Sequence, residues 1–185
     1  MKQALTVIKS LVLRSPLHHS ISSRKAFAKH SFLLLLAGTV LLFSSCKKEL
    51  KTVPFKADFT ATQEVIQAPA PGTPLIFLAT GTGKASHMGK TAFEAHVTID
   101  VFGPPPVLAI ATWTLTAANG DKIFMNSIGI VGGGGRDANG NIVSTLTNTI
   151  TGGTGRFADA RGTLTGSVIN GKTSDAISLE GWISY

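Results

Sequence analysis

The chain predicts an all-β fold, an eight-stranded antiparallel up-and-down barrel, once its first 45 residues are set aside. Three observations carry that expectation. Apolar and polar residues alternate at period two in successive short runs, as half-buried strands require. Asn-Gly pairs and Gly/Pro clusters punctuate those runs, including Asn119-Gly120 and Asn170-Gly171 between strand patterns. After position 51 the chain is rich in Gly, Thr, Ala and Ile and poor in Leu, Glu and Lys, a balance that disfavours helices. Closure removes exposed strand edges, so a barrel is preferred, with a two-sheet sandwich as the alternative.

The elements follow in order. Phe55, Ala57, Phe59 and Ala61 alternate with Lys56, Asp58 and Thr60, giving the first strand. Gln67–Pro74 carries three prolines and is a loop. Leu75–Thr82 is the second strand. In the third, Phe93, Ala95, Val97, Ile99 and Val101 alternate with Glu94, His96, Thr98 and Asp100; Phe93 to Ile99 should be buried and the polar set solvated. Gly103–Pro106 ends it. Val107–Ala117 and Lys122–Val131 are the fourth and fifth strands, joined at Asn119-Gly120. Gly132–Asn141 is a glycine-rich loop. Ile142–Thr151, Gly162–Ile169 and Ala176–Ser184 complete the set, with a tight turn and room for one helical turn at Gly152–Asp159.

Residues 1–45 read as a lipoprotein signal peptide. Arg24, Lys25 and Lys29 precede the apolar run Phe32–Phe43, and Ser44-Ser45 leads into Cys46, the only cysteine. Positive segment, short apolar segment and small residues are the layout of an export signal. A 12-residue run falls short of the roughly 20 that a spanning helix needs. Cys46 is the expected lipidation site. A lone cysteine forms no internal disulfide, so an anchor suits it. Residues 46–53 are then a tether and 54–185 the barrel domain, placed in a bacterial cell envelope and held to the membrane through Cys46.

Processing changes the charge argument. The whole chain has 17 basic and 10 acidic residues, and six basic ones precede Cys46, so the remainder carries 17 − 6 = 11 against 10. The basic character belongs to the leader, and nucleic acid is not an expected partner. A domain of 185 − 45 = 140 residues buries a core without metal or disulfides.

Few motifs carry chemistry. Gly89-Lys90-Thr91 lacks the glycine spacing of a phosphate loop and is followed by a strand. Gly152-Gly-Thr-Gly155 has Ala158 where a dinucleotide fingerprint needs its last glycine. No metal motif and no nucleophile elbow appears, so no metal or cofactor is expected. Glu94 and His96 share a strand face, which reads as a solvated exterior. His87 sits in a Gly-rich turn. Arg156 and Arg161 flank the glycine turn, where pairing with a carboxylate such as Asp159 is the plain expectation. Glu180 and Asp100 would pair only if their strands were neighbours. His87, Glu94, His96 and Arg161 are the candidate polar site residues.

The run Gly152-Gly-Thr-Gly-Arg-Phe157, followed by Ala160-Arg161-Gly162, resembles the corner of dirigent proteins and of the related allene oxide cyclase barrels. Gly152, Gly153, Gly155 and Gly162 would form this structural corner, with φ > 0 at Gly153 or Gly155. The resemblance implies an eight-stranded barrel with a hydrophobic lumen. The acidic pocket residues of the plant enzymes have no matching positions here, so no catalytic residue follows from it. Two functions are expected: a non-enzymatic lipoprotein whose barrel binds a small apolar ligand or a partner protein, or an enzyme of the resembled kind that steers a reactive apolar intermediate in the lumen. Converging polar groups inside an open cavity would favour the enzyme.

Overall fold

The computed structural model describes residues 49–185. Cys46 and the expected signal peptide lie outside the described residues. Eight antiparallel strands close into a barrel in chain order: β1 (Thr52–Gln67), β2 (Leu75–Ala85), β3 (Gly89–Ile99), β4 (Leu108–Ala117), β5 (Lys122–Ile130), β6 (Ile142–Gly153), β7 (Arg161–Asn170) and β8 (Asp175–Ser184). Each pairs with the next, and β8 returns to β1 with Thr52 opposite Ser184 and Ala61 opposite Asp175. The sandwich alternative is therefore set aside. No helix among the described residues is long and apolar enough to cross a membrane.

The expected alternation fixes which face is inside. Phe93, Ala95 and Val97 are buried and Ile99 partly so, while Glu94, His96, Thr98 and Asp100 are exposed. β1 begins at Thr52, inside the stretch expected as tether, because Thr52 and Val53 pair with Ser184 and Ile183. It also runs on to Gln67, past the last buried alternation, by laddering with β2.

β2 continues through Gly81 and Gly83 to Ala85, beyond the expected end at Thr82. The reason lies in its neighbours. Gly81 is opposite Phe93 on β3, and Gly83 is opposite Phe59 on β1. A Cβ at Gly81 would sit 2.6 Å from the Phe93 ring, and one at Gly83 would sit 2.7 Å from the Phe59 ring. The bare stretch of β2 lets the two rings meet across it at 5.0 Å. Phe93 in turn stacks on Trp113 of β4 at 5.3 Å. This aromatic row crosses the middle of the lumen.

One end of the barrel is filled. Phe55, Leu115, Ile123, Leu164 and Ile183 are fully buried. A single 3₁₀ turn, Gly155–Phe157, places the Phe157 side chain in the same core. Phe157 packs on Tyr185 at 4.9 Å, and the Arg156 guanidinium lies 4.9 Å over its ring. Gly155 has φ +58°, as the corner reading expected of Gly153 or Gly155. Arg156 pairs with Asp121 of the β4–β5 turn, Nε to Oδ2 3.3 Å, and not with Asp159. The backbones of Lys51 and Tyr185 exchange hydrogen bonds at this end.

Candidate functional site

The opposite end is open. It is built where β1, β3, β5 and β7 finish and β2, β4, β6 and β8 begin. A cavity of about 280 Å³ lies there. Its walls are mainly apolar: Leu75, Phe77, Val97, Ile99, Trp113 and Val168 supply much of the lining. It is hollow because the inward positions of the facing strands are small. Ala79, Ala109, Ala111 and Gly129 all line it. Eight strands leave an interior that side chains just fill or that holds one small ligand; here bulky residues fill one half and small ones leave the other open.

Polar groups interrupt the apolar wall at two levels. At the mouth, Asp175 opens β8 on the inward face and is largely buried. Gln63 donates from Nε2 to its Oδ2. Both line the cavity, beside Asn170. Deeper in, three inward positions on adjacent strands are polar or carry a polar edge: Trp113 on β4, Ser127 on β5 and Asn148 on β6. Ser127 is directly opposite Ala111 and Asn148. Trp113 and Ser127 line the cavity. Asn148 is fully buried, in the series Leu146, Asn148, Ile150 that faces inward. The indole Nε1 of Trp113 and both amide atoms of Asn148 are buried without a hydrogen-bond partner in the protein.

The polar residues singled out from the sequence lie elsewhere. Glu94 and His96 do come together, Oε1 to Nε2 3.3 Å, but both side chains are more than half exposed on the outer surface. His87 is in the β2–β3 turn at the filled end with φ +63°. Its Nε2 is 3.0 Å from the carbonyl of Pro54, and its ring is 5.8 Å from that of Tyr185. Arg161 starts β7 and is exposed. None of the four lines the cavity. Glu180 faces out on β8 and pairs with Lys56, Nζ to Oε2 3.7 Å, not with Asp100. Gly152, Gly153 and Gly155 sit at the end of β6 and the start of the 3₁₀ turn, and Gly162 is the second residue of β7. None of these four glycines lines the cavity. Among the described residues, no group of three or more His, Cys, Asp or Glu side chains gathers at one point.

Ser127, Asn148 and Asp175 were not picked out from the sequence, yet they leave a trace there. Each occupies an inward position in an otherwise apolar alternation: Ile123, Met125, Ser127; Leu146, Asn148, Ile150; Asp175, Ile177, Leu179. A polar residue at a core position is the informative exception.

Comparison with known proteins places the fold. No family model matches the chain, and no curated protein matches it. Among solved structures, a pterocarpan synthase dirigent protein superposes with a TM-score of 0.51 at 12% identity, over 77% of this chain and 92% of that one. At that identity the likeness is one of fold. The chain has a dirigent-like, closed eight-stranded β-barrel.

Proposed function

We propose that this protein is a membrane-anchored bacterial envelope lipoprotein whose barrel holds a small, mainly apolar ligand at its open end and performs no chemistry on it. The observation that carries this reading is the hollow half of the barrel, about 280 Å³ and lined mostly by Leu, Phe, Val, Ile, Ala and Trp side chains. Concave, mostly apolar cavities with a few fixed polar groups are how proteins hold small ligands. The volume lies just below the roughly 300–1,000 Å³ usual for such sites, which suits a compact molecule. Anchoring rests on the sequence around Cys46 alone.

A second reading has two observations in its favour. Asp175 sets a largely buried carboxylate in the cavity wall, and a protein of similar fold is a pterocarpan synthase dirigent protein. An enzyme would use that carboxylate on a reactive intermediate. Against this, Asp175 already accepts from Gln63, and it is the only ionisable side chain lining the cavity.

The test for the leading reading is titration with N-phenyl-1-naphthylamine, a neutral fluorophore that brightens in apolar surroundings. The wild type should bind it, and Ala111→Phe, which fills the hollow, should not. Equal brightening in both would remove the cavity as the site. For the anchor, intact-mass analysis of membrane-fraction protein should find acyl groups on Cys46 and a start at that residue. A soluble, unacylated product would end that part of the proposal.

A further inference from the structure

We infer that the ligand of this cavity is an apolar molecule bearing a hydrogen-bond acceptor oxygen of the carbonyl type, which docks inward against Trp113, Ser127 and Asn148. The inference rests on the reading that the cavity holds a ligand, and it adds which chemical class fits.

Trp113, Ser127 and Asn148 stand on three consecutive strands, β4, β5 and β6, with Ser127 opposite Asn148 in the ladder. Around them the interior is apolar: Ala111, Met125, Leu146, Ile150 and Leu164 are all buried. Asn148 is therefore a costly choice. A buried amide left without partners forfeits the hydrogen bonds it had with water, whereas leucine of nearly the same shape would not. Trp113 adds an indole N–H in the same condition. Trp113 and Ser127 line the cavity, and Asn148, opposite Ser127 in the ladder, stands next to that wall without being part of it. Buried polar groups in native proteins are almost always satisfied, so these unpartnered side chains call for a partner that arrives from outside the chain.

The balance of donors and acceptors says what that partner offers. Trp113 can only donate, the Asn148 amide nitrogen donates two hydrogens, and the Ser127 hydroxyl can turn to donate. Only the Asn148 Oδ1 and the hydroxyl oxygen accept. Donors predominate, so an oxygen with two lone pairs and no hydrogen of its own is the best complement. A carboxylate fits poorly, because no Lys or Arg lines the cavity to offset the cost of burying its charge. A ketone, ester or aldehyde carbonyl on a hydrocarbon body meets both conditions.

The experiment compares cyclohexyl methyl ketone with isopropylcyclohexane, two molecules of one shape that differ by a carbonyl oxygen. Binding is followed on ¹⁵N-labelled full-length protein, with Trp182→Phe used to assign the Trp113 indole resonance. Both probes should bind. The ketone should move the Trp113 indole proton downfield and shift the Asn148 side-chain amide; the hydrocarbon should do neither. Asn148→Leu should lower the ratio of ketone to hydrocarbon affinity about tenfold. Taking the ratio cancels the different cost of drawing the two probes from water. Trp113→Phe makes the same comparison if Asn148→Leu fails to fold, and the indole shift needs no variant. If both probes bind with an unchanged ratio and no indole shift, recognition of oxygen is overturned while the apolar cavity stands, its polar residues holding buried water only. If neither binds, the cavity is not a ligand site and both readings fall.

Discussion

At the filled end, Phe55, Leu115, Ile123, Phe157 and Ile183 are buried without remainder; at the mouth, Leu75, Ile99, Ala109 and Val168 are only partly covered and surround empty volume. The same strands run through both halves, so backbone geometry does not make the difference. Side-chain size does. β4 carries Leu115 at the filled end and Ala109 and Ala111 towards the mouth; β5 carries Ile123 and Met125, then Ser127 and Gly129. The filled half also recruits residues from outside the strands, Met88 from one turn and Phe157 from another, whereas the loops at the mouth send no comparable plug inward. One half is packed for stability, and the other gives up packing to keep a space.

The contrast has measurable consequences. The largest should come from truncation. Phe157→Ala removes a fully buried ring and should cost about 3–5 kcal/mol in urea unfolding, while Leu75→Ala, on the wall of a space that already exists, should cost about 1–2. Equal costs would mean that the two halves are packed alike. Enlargement should reverse the order. Ala117→Phe in the filled half should destabilise by about 1–3 kcal/mol through overpacking. Ala111→Phe, which grows into the cavity, should change stability by less than about 1 kcal/mol and abolish binding of the fluorophore.

A smaller effect separates two glycines with left-handed backbone. Gly155, φ +58°, lies against the Asp121 carboxylate, whereas Gly135 of the β5–β6 loop, φ +76°, has no atom within 4 Å of the added Cβ. Gly155→Ala should cost about 1–2 kcal/mol and loosen the Arg156–Asp121 pair; Gly135→Ala should cost about 1 at most. Thermal midpoints of the two variants compare them directly.

The smallest effect concerns pH. Asp137, in the loop beside the mouth, has its carboxyl held below the usual range, chiefly by the Asn141 side-chain amide and further by the backbone N–H groups of Asn141 and Asn139. A lowered folded-state value means that this group favours the ordered loop above its unfolded value near 4, and that the contribution is lost as pH falls through the folded value. Carboxyl NMR should find Asp137 titrating below the usual aspartate range, and the backbone amides of Asn139 and Asn141 should shift with it. Titration of Asp137 at or above the ordinary aspartate value would show that the loop does not hold the charge.

Which parts of this could be read from the residues follows the same division. β3 was legible because its apolar alternation spans nearly its whole length and one face is buried throughout. The far end of β1 was not, since Thr62 to Ile66 are all exposed and nothing alternates. β2 beyond Thr82 was hidden for another reason. Gly81 and Gly83 look like turn residues locally, and only the rings of Phe59 and Phe93 from other strands explain them. The ion pair of Arg156 was expected close in sequence and forms instead with Asp121 across the filled end. The cavity was the least accessible part. A missing volume is a sum over several strands, and no single run of residues announces that Ala79, Ala109, Ala111 and Gly129 fall at one level.

The seam between β1 and β8 has a consequence for how the chain reaches this state. Thr52 and Ser184, joined by a 2.6 Å side-chain hydrogen bond, are 132 positions apart. Every other strand pairs with its neighbour in sequence, so hairpins can form while the chain is being made. The ring cannot close until β8 exists, and until then β1 and β7 both present bare edges. A ribosome stalled before Asp175, or a nonsense codon in β8, would therefore yield a seven-stranded sheet prone to join another copy edge to edge, rather than a slightly shortened barrel.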